Sequence, residues 1–66
     1  MKISVNGEDR EIGDGISVAQ FLEELQIRPG RVVIELNRDI ISRDQHGSTL
    51  LNEGDVLEIV HFVGGG

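Results

Sequence analysis

The sequence predicts a two-layer α+β domain in which one helix covers one face of a sheet, with the elements in the order ββαβββ. Three observations carry that expectation. Asn6-Gly7 and Asn37-Arg38 are tight-turn signals set between alternating segments, a single amphipathic segment opens with a capping pattern at Ser17, and an alternating apolar strand closes the chain from Val56 to Phe62.

The first strand spans Met1 to Asn6, with Ile3 and Val5 on one face. Asn6 and Gly7 both tolerate positive φ, so the chain turns there and returns as a second strand from Asp9 to Ile12. Gly13-Asp14-Gly15 breaks the pattern; Asp14 lacks the further Asp or Asn residues of a calcium loop and reads as part of a turn before the helix. At Ser17 the hydroxyl is placed to cap free backbone N–H groups while Gln20 reaches back, and Ile16 and Phe21 have the spacing of a hydrophobic staple. Val18, Phe21, Leu22 and Leu25 then form one apolar stripe, with Gln20, Glu23 and Glu24 away from it. Pro29-Gly30 is the expected stop.

A third strand runs from Arg31 to Leu36 with Val32, Ile34 and Leu36 on one face, and Asn37-Arg38 turns it into a fourth, Asp39 to Ser42. Residues 43–49 are polar and irregular, with one helical turn expected at Asp44-Gln45-His46, and Leu50-Leu51 is a short apolar contact. Asn52-Glu53-Gly54-Asp55 is a turn that feeds the last strand. Its alternation puts Leu57 and Ile59 toward the core and leaves Val56, Glu58, Val60 and Phe62 on the uncovered face, because the charged Glu58 belongs with that set. An exposed apolar pair, Val60 and Phe62, just before the glycine end is the expected docking site for a partner, the alternative being that Phe62 folds over the sheet edge as peripheral core.

Composition restricts the function. With 66 residues, two Phe, no Tyr and no Trp, there is one small aliphatic core and little room for an enclosed catalytic pocket. Twelve acidic against six basic residues give a formal charge of −6, which disfavours nucleic acid and anionic membranes and favours a basic partner groove. The absence of Cys excludes disulfides, thiolate metal sites and a thiol nucleophile, and His46 and His61 form no local ligand motif; they read as a solvated loop histidine and a strand-end histidine. No signal-peptide run or membrane-length apolar stretch occurs, so a cytoplasmic location is expected; the chain is also expected to be a monomer when free.

The remaining feature is the end, Val63-Gly64-Gly65-Gly66. Residues 1–63 are expected to form the domain and 64–66 a flexible arm that reaches roughly 10 Å into a slot too narrow for side chains. Its tip, the Gly66 α-carboxylate, is the candidate reactive group, with Gly65 and Gly64 giving access. A carboxylate is a poor acyl donor until activated; transfer of AMP from ATP, with Mg²⁺ neutralising the phosphates, makes an acyl adenylate that a thiolate or persulfide attacks. The chain supplies recognition and no catalytic group of its own.

The stretch Gly54-Asp55-Val56-Leu57-Glu58-Ile59-Val60 leading to Gly65-Gly66, the opening Val5-Asn6-Gly7-Glu8, and Glu35-Leu36-Asn37-Arg38 together resemble the sulfur carrier protein of thiamine biosynthesis, the ThiS family. The resemblance implies a β-grasp (ubiquitin-like) fold with a mixed sheet. It implies that Gly66 is adenylated by a ubiquitin-activating-enzyme-like adenylyltransferase using ATP and Mg²⁺, receives sulfur from a donor such as a cysteine desulfurase, and as a thiocarboxylate donates it to thiazole synthase. Gly66 matches the family's modified glycine and Gly65 the one before it, while Val60 and Phe62 correspond to the hydrophobic sheet surface related carriers show their enzymes; Glu58, between them in the strand, is a further candidate partner-binding residue. Alternatives within the fold are the small subunit of molybdopterin synthase, a ubiquitin-like modifier joined to lysine amines, and an interaction module with an inert tail.

Overall fold

In the computed structural model, which describes residues 1–62, two tight hairpins and one long closing strand build the sheet. β1 (Lys2–Val5) pairs antiparallel with β2 (Glu8–Glu11), and β3 (Val32–Leu36) pairs antiparallel with β4 (Asp39–Ile41). β5 (Val56–His61) slides between them, parallel to β1 and antiparallel to β3, giving a five-stranded mixed sheet in the order β2-β1-β5-β3-β4. One helix, α1 (Val18–Glu24), accompanies the sheet, so the observed order is ββαβββ as expected.

Both hairpins use two-residue loops whose residues all have positive φ: Asn6 at 50° and Gly7 at 83°, Asn37 at 51° and Arg38 at 75°. That conformation matches the twist of the flanking strands, which is why it is favoured despite its steric cost to residues with a Cβ. Arg38 carries that cost where Gly7 does not. Arg38→Gly is expected to raise unfolding free energy by roughly 0.5–1 kcal/mol, the left-handed penalty less glycine's extra chain entropy, read by urea denaturation.

The two turn asparagines do more than bend the chain. Asn37 Nδ2 donates to Asp55 Oδ1 (3.0 Å), and its Oδ1 accepts from the Val56 N–H (2.9 Å). On the opposite edge of β5, Asn6 Oδ1 accepts from the Ile59 N–H (2.7 Å) and its Nδ2 donates to the Ile59 carbonyl (3.1 Å). The β1–β5 ladder ends at Val5 and Leu57, so the Asn6 carboxamide takes the position that a further peptide group of β1 would fill. Asn6→Gly preserves the turn and removes both bonds. It is expected to cost about 1–2 kcal/mol and to speed hydrogen exchange at the Ile59 amide, since each net bond is worth about 0.5–1.5 kcal/mol.

α1 begins as its sequence requires. Ser17 Oγ accepts from the Gln20 N–H (3.1 Å), and Gln20 Oε1 accepts from the Ser17 N–H (2.9 Å), completing the reciprocal cap. Its end differs from expectation. The helix stops at Glu24 rather than at Pro29-Gly30, because Gln26 turns left-handed at φ 60°. The Ile27 N–H then returns to the Leu22 carbonyl and the Gln26 N–H to the Glu23 carbonyl, both at 2.9 Å, the paired closure that satisfies orphan helix carbonyls. Pro29–Arg31 forms a separate 3₁₀ turn.

The core gathers Ile3 and Val5 from β1, Val18, Phe21 and Leu22 from α1, Val32 and Ile34 from β3, Leu57 and Ile59 from β5, with Ile16 and Leu51 from loops. The staple pair Ile16 and Phe21 thus lies in one cluster, and Leu25, the last residue of the predicted stripe, packs half-buried against it. Of the Leu50-Leu51 pair only Leu51 is buried; Leu50 is exposed.

The expectation of a solvated His46 is wrong: the residue is only 4% exposed. Helix N-termini leave four N–H groups without intrahelical partners, and residues 46–51 supply two of the missing acceptors. The Val18 N–H donates to the Thr49 carbonyl and the Ala19 N–H to the His46 carbonyl, both at 2.9 Å, while the Leu51 N–H donates to the Ile16 carbonyl. Binding the helix end draws this polar loop, and His46 with it, against the domain. His46 Nδ1 is buried without a hydrogen-bond partner among the described residues.

Candidate functional site

The sheet has a covered face and an open one, and the register decides which residues share the open one. β5 contributes Val56, Glu58, Val60 and, just past its end, Phe62; the pairings Val33 with Val60, Glu35 with Glu58 and Glu35 with Ile40 add those residues from β3 and β4. Val60 and Phe62 are 55% and 54% exposed, on the side that alternation in β5 predicts, and Ile40 and Val56 are exposed as well. Glu58 is half-buried between them.

Sequence reasoning reached the β5 half of this surface and missed Val33, Glu35 and Ile40. The alternation of Val32, Ile34 and Leu36 implies the opposite side for Val33 and Glu35, but only the β3–β5 register sets them beside Val60 and Glu58. Ile40 had no such signal, because Asp39-Ile40-Ile41 gives no period to read in three residues.

The electrostatics of the face are one-sided. Glu35 and Glu58 stand directly across from each other, a like-charge cross-strand pair that weakens an isolated sheet. Among the described residues, the ion pairs are those of the Met1 ammonium with Glu11 and Asp14, so neither Glu35 nor Glu58 has a cation beside it. Apolar side chains around two uncompensated carboxylates form a surface suited to a partner that brings both apolar contact and positive charge.

Phe62 marks the end of the described chain. Its N–H donates to the Arg31 carbonyl (3.0 Å), which ties the last strand to the sheet up to that residue. Gly64, Gly65 and Gly66, the expected access arm and reactive tip, lie outside the described residues together with Val63. The open face therefore meets the root of that segment.

No group of three or more His, Cys, Asp or Glu side chains gathers as a metal-binding cluster among the described residues. His46 and His61 do not come together: one is buried in the loop beside α1, the other exposed at the end of β5. No helix among the described residues is long and apolar enough to cross a membrane.

Comparison with known proteins gives a consistent result. Residues 3–66 match the model of the ThiS family. The sulfur carrier protein ThiS of Bacillus subtilis is 35% identical over 65 residues, covering 97% of this chain and 98% of the relative. A thiazole synthase of Magnetococcus marinus is 39% identical over 66 residues, covering all of this chain; the chain spans only 20% of that relative's length. The same share, 20%, holds for a thiazole synthase of Paramagnetospirillum magneticum at 38% identity. Among solved structures, the crystal structure of the thiamine biosynthesis protein ThiS from Geobacter metallireducens superimposes with a TM-score of 0.83 at 31% identity, covering both chains in full. The arrangement of one helix on a five-stranded mixed sheet is thus the β-grasp arrangement of that structure.

Proposed function

The chain belongs to the ThiS family, and we propose that it carries sulfur for thiamine biosynthesis on the α-carboxylate of Gly66. The observation that carries this reading is the match of residues 3–66, the glycine end included, to the family model, together with the match of 97% of the chain to a sulfur carrier protein of the same length class. The exposed Val60 and Phe62 at the root of the glycine segment support it, since a carrier needs a recognition surface beside its reactive group.

In the first step the Gly66 carboxylate attacks the α-phosphorus of ATP on an adenylyltransferase, forming an acyl–phosphate bond as pyrophosphate leaves; Mg²⁺ held by that enzyme offsets the phosphate charge. A sulfide or persulfide sulfur then attacks the acyl carbon and AMP departs. Sulfide gives the thiocarboxylate directly, whereas a persulfide gives an acyl disulfide that a thiol reduces. The thiocarboxylate passes its sulfur to thiazole synthase, and a cysteine desulfurase is the source of the persulfide. The relatives named thiazole synthase support this choice of acceptor, because each contains a segment like this chain. Glu58 and Glu35 are assigned to meeting basic residues of the partner, and Gly65 and Gly64 to letting the reactive group enter a narrow site.

The test is reconstitution with ATP, an adenylyltransferase and a sulfur source, followed by intact-mass analysis of the C-terminal peptide. An oxygen-to-sulfur mass change dependent on ATP is expected. Attachment to lysine amines of other proteins, or a tail never modified in cells starved of thiamine, would sink the proposal.

A further inference from the structure

On the helix-covered side of the sheet, past the end of β1, lies a cleft of about 260 Å³ that none of the chemistry above uses. Val5, Leu25, Ile27 and Ile59 are its apolar lining, and the exposed Glu8, Arg10 and His61 stand at its margin with Asn6. Backbone parity along β5 makes the place unusual. Phe62 bonds toward β3, and bonded residues alternate in an antiparallel ladder, so Val56, Glu58 and Val60 face β3 while Leu57, Ile59 and His61 face the β1 side. On that side the Leu57 carbonyl accepts from the Asn6 N–H, and both peptide groups of Ile59 are taken by the Asn6 carboxamide. His61 is next. Among the described residues nothing bonds its N–H or its carbonyl.

We infer that this edge and cleft receive an extended segment of a partner protein, which adds to β5 beyond the end of β1, bonds the His61 peptide groups and sets an apolar side chain in the cleft. A donor and an acceptor of one residue on one strand edge are complemented by another extended backbone, the pairing that strand-addition complexes use. The chain itself already demonstrates the chemistry one step earlier, where a carboxamide satisfies Ile59. Arg10 defines a second feature of the segment. It has no carboxylate within ion-pair distance among the described residues, although Glu8 lines the same cleft, so an Asp or Glu set against Arg10 and away from Glu8 completes the fit.

The identity of the partner rests on the sulfur-carrier proposal. In the relatives named thiazole synthase, the matching segment occupies 20% of the same chain, so contact there is intramolecular and needs little intrinsic affinity. An adenylyltransferase meets the carrier by diffusion and must hold the root of the tail firmly enough to present its end. The segment is therefore assigned to the adenylyltransferase.

The test uses the full chain, a purified adenylyltransferase, calorimetric affinities and amide hydrogen exchange at His61. His61→Pro removes the N–H from the free edge and leaves the β3 bonds in place, while His61→Ala removes only the imidazole. His61→Pro is expected to weaken binding about five- to tenfold and His61→Ala hardly at all, the loss set by one intermolecular hydrogen bond. Arg10→Glu is expected to weaken binding by a similar factor. In the wild-type protein the His61 amide exchanges rapidly when free and becomes protected in the complex; this arm decides the matter if the proline variant does not fold. Equal affinities for the proline and alanine variants, no protection in the complex, or protection already present in the free protein overturns the inference. Its failure is distinct from failure of the carrier reading, which is judged by whether wild-type Gly66 acquires sulfur.

Discussion

Deletion of Gly66, or conversion of its carboxylate to an amide, is expected to abolish thiocarboxylate formation entirely while leaving the thermal midpoint within about a degree of wild type. The loss is total because an amide lacks the anionic oxygen that attacks the α-phosphorus, and a one-residue-shorter arm withdraws the reacting carbon by roughly 3.5 Å, far beyond the tolerance of a near-attack geometry. The stability is unchanged because the core cluster is assembled from residues 3–59. Mass spectrometry of the C-terminal peptide and a thermal melt check the two halves together. Sulfur transfer by the amide would show that the reactive group had been misassigned, and a lowered midpoint would show that the end of the chain contributes to packing.

Phe62→Asp is expected to weaken adenylyltransferase binding by about 30-fold, roughly 2 kcal/mol, the scale of an aromatic anchor at an interface centre. Phe62 is 54% exposed and belongs to no part of the buried cluster, so the substitution leaves the fold intact. The loss comes from replacing an apolar contact by a carboxylate that must be desolvated at the interface. Because the carboxylate of Gly66 is untouched, the adenylation rate at saturating enzyme should approach wild type, so the defect lies in KM and not in kcat. Titration of binding with the purified enzyme gives the first number and steady-state kinetics the second. Unchanged affinity would remove the open face from the docking surface.

Some signals in this chain are legible because the physics behind them is local. The capping box at Ser17 and Gln20 was legible because both hydrogen bonds span three residues, and the alternation in β5 assigned Leu57 and Ile59 to the core because side chains on a strand must alternate. Pro29-Gly30 misled as the helix stop, because the cheaper closure at Gln26 needs a positive φ that glutamine does not advertise. Of the candidate site, Val60, Phe62 and Glu58 were visible in one strand, whereas Glu35, Val33 and Ile40 join them only through pairing across strands.

His46 and Asn6 separate the two kinds of information most sharply. Nothing adjacent to His46 in sequence predicts its burial; it follows from the helix N-terminus needing the carbonyls of His46 and Thr49, residues far along the chain. Asn6 marks a turn in the sequence by its tolerance of positive φ, yet its carboxamide closes the ladder on Ile59, 53 residues away. By itself, then, the sequence determined the element order, the helix start, the core-facing residues and the family. The tertiary structure decided which strands are neighbours, which charges oppose each other, and where β5 runs free beside its cleft. The reason is range: caps, turns and alternation are settled within a few residues, while register, buried polar groups and open edges depend on bonds between segments that only folding brings together.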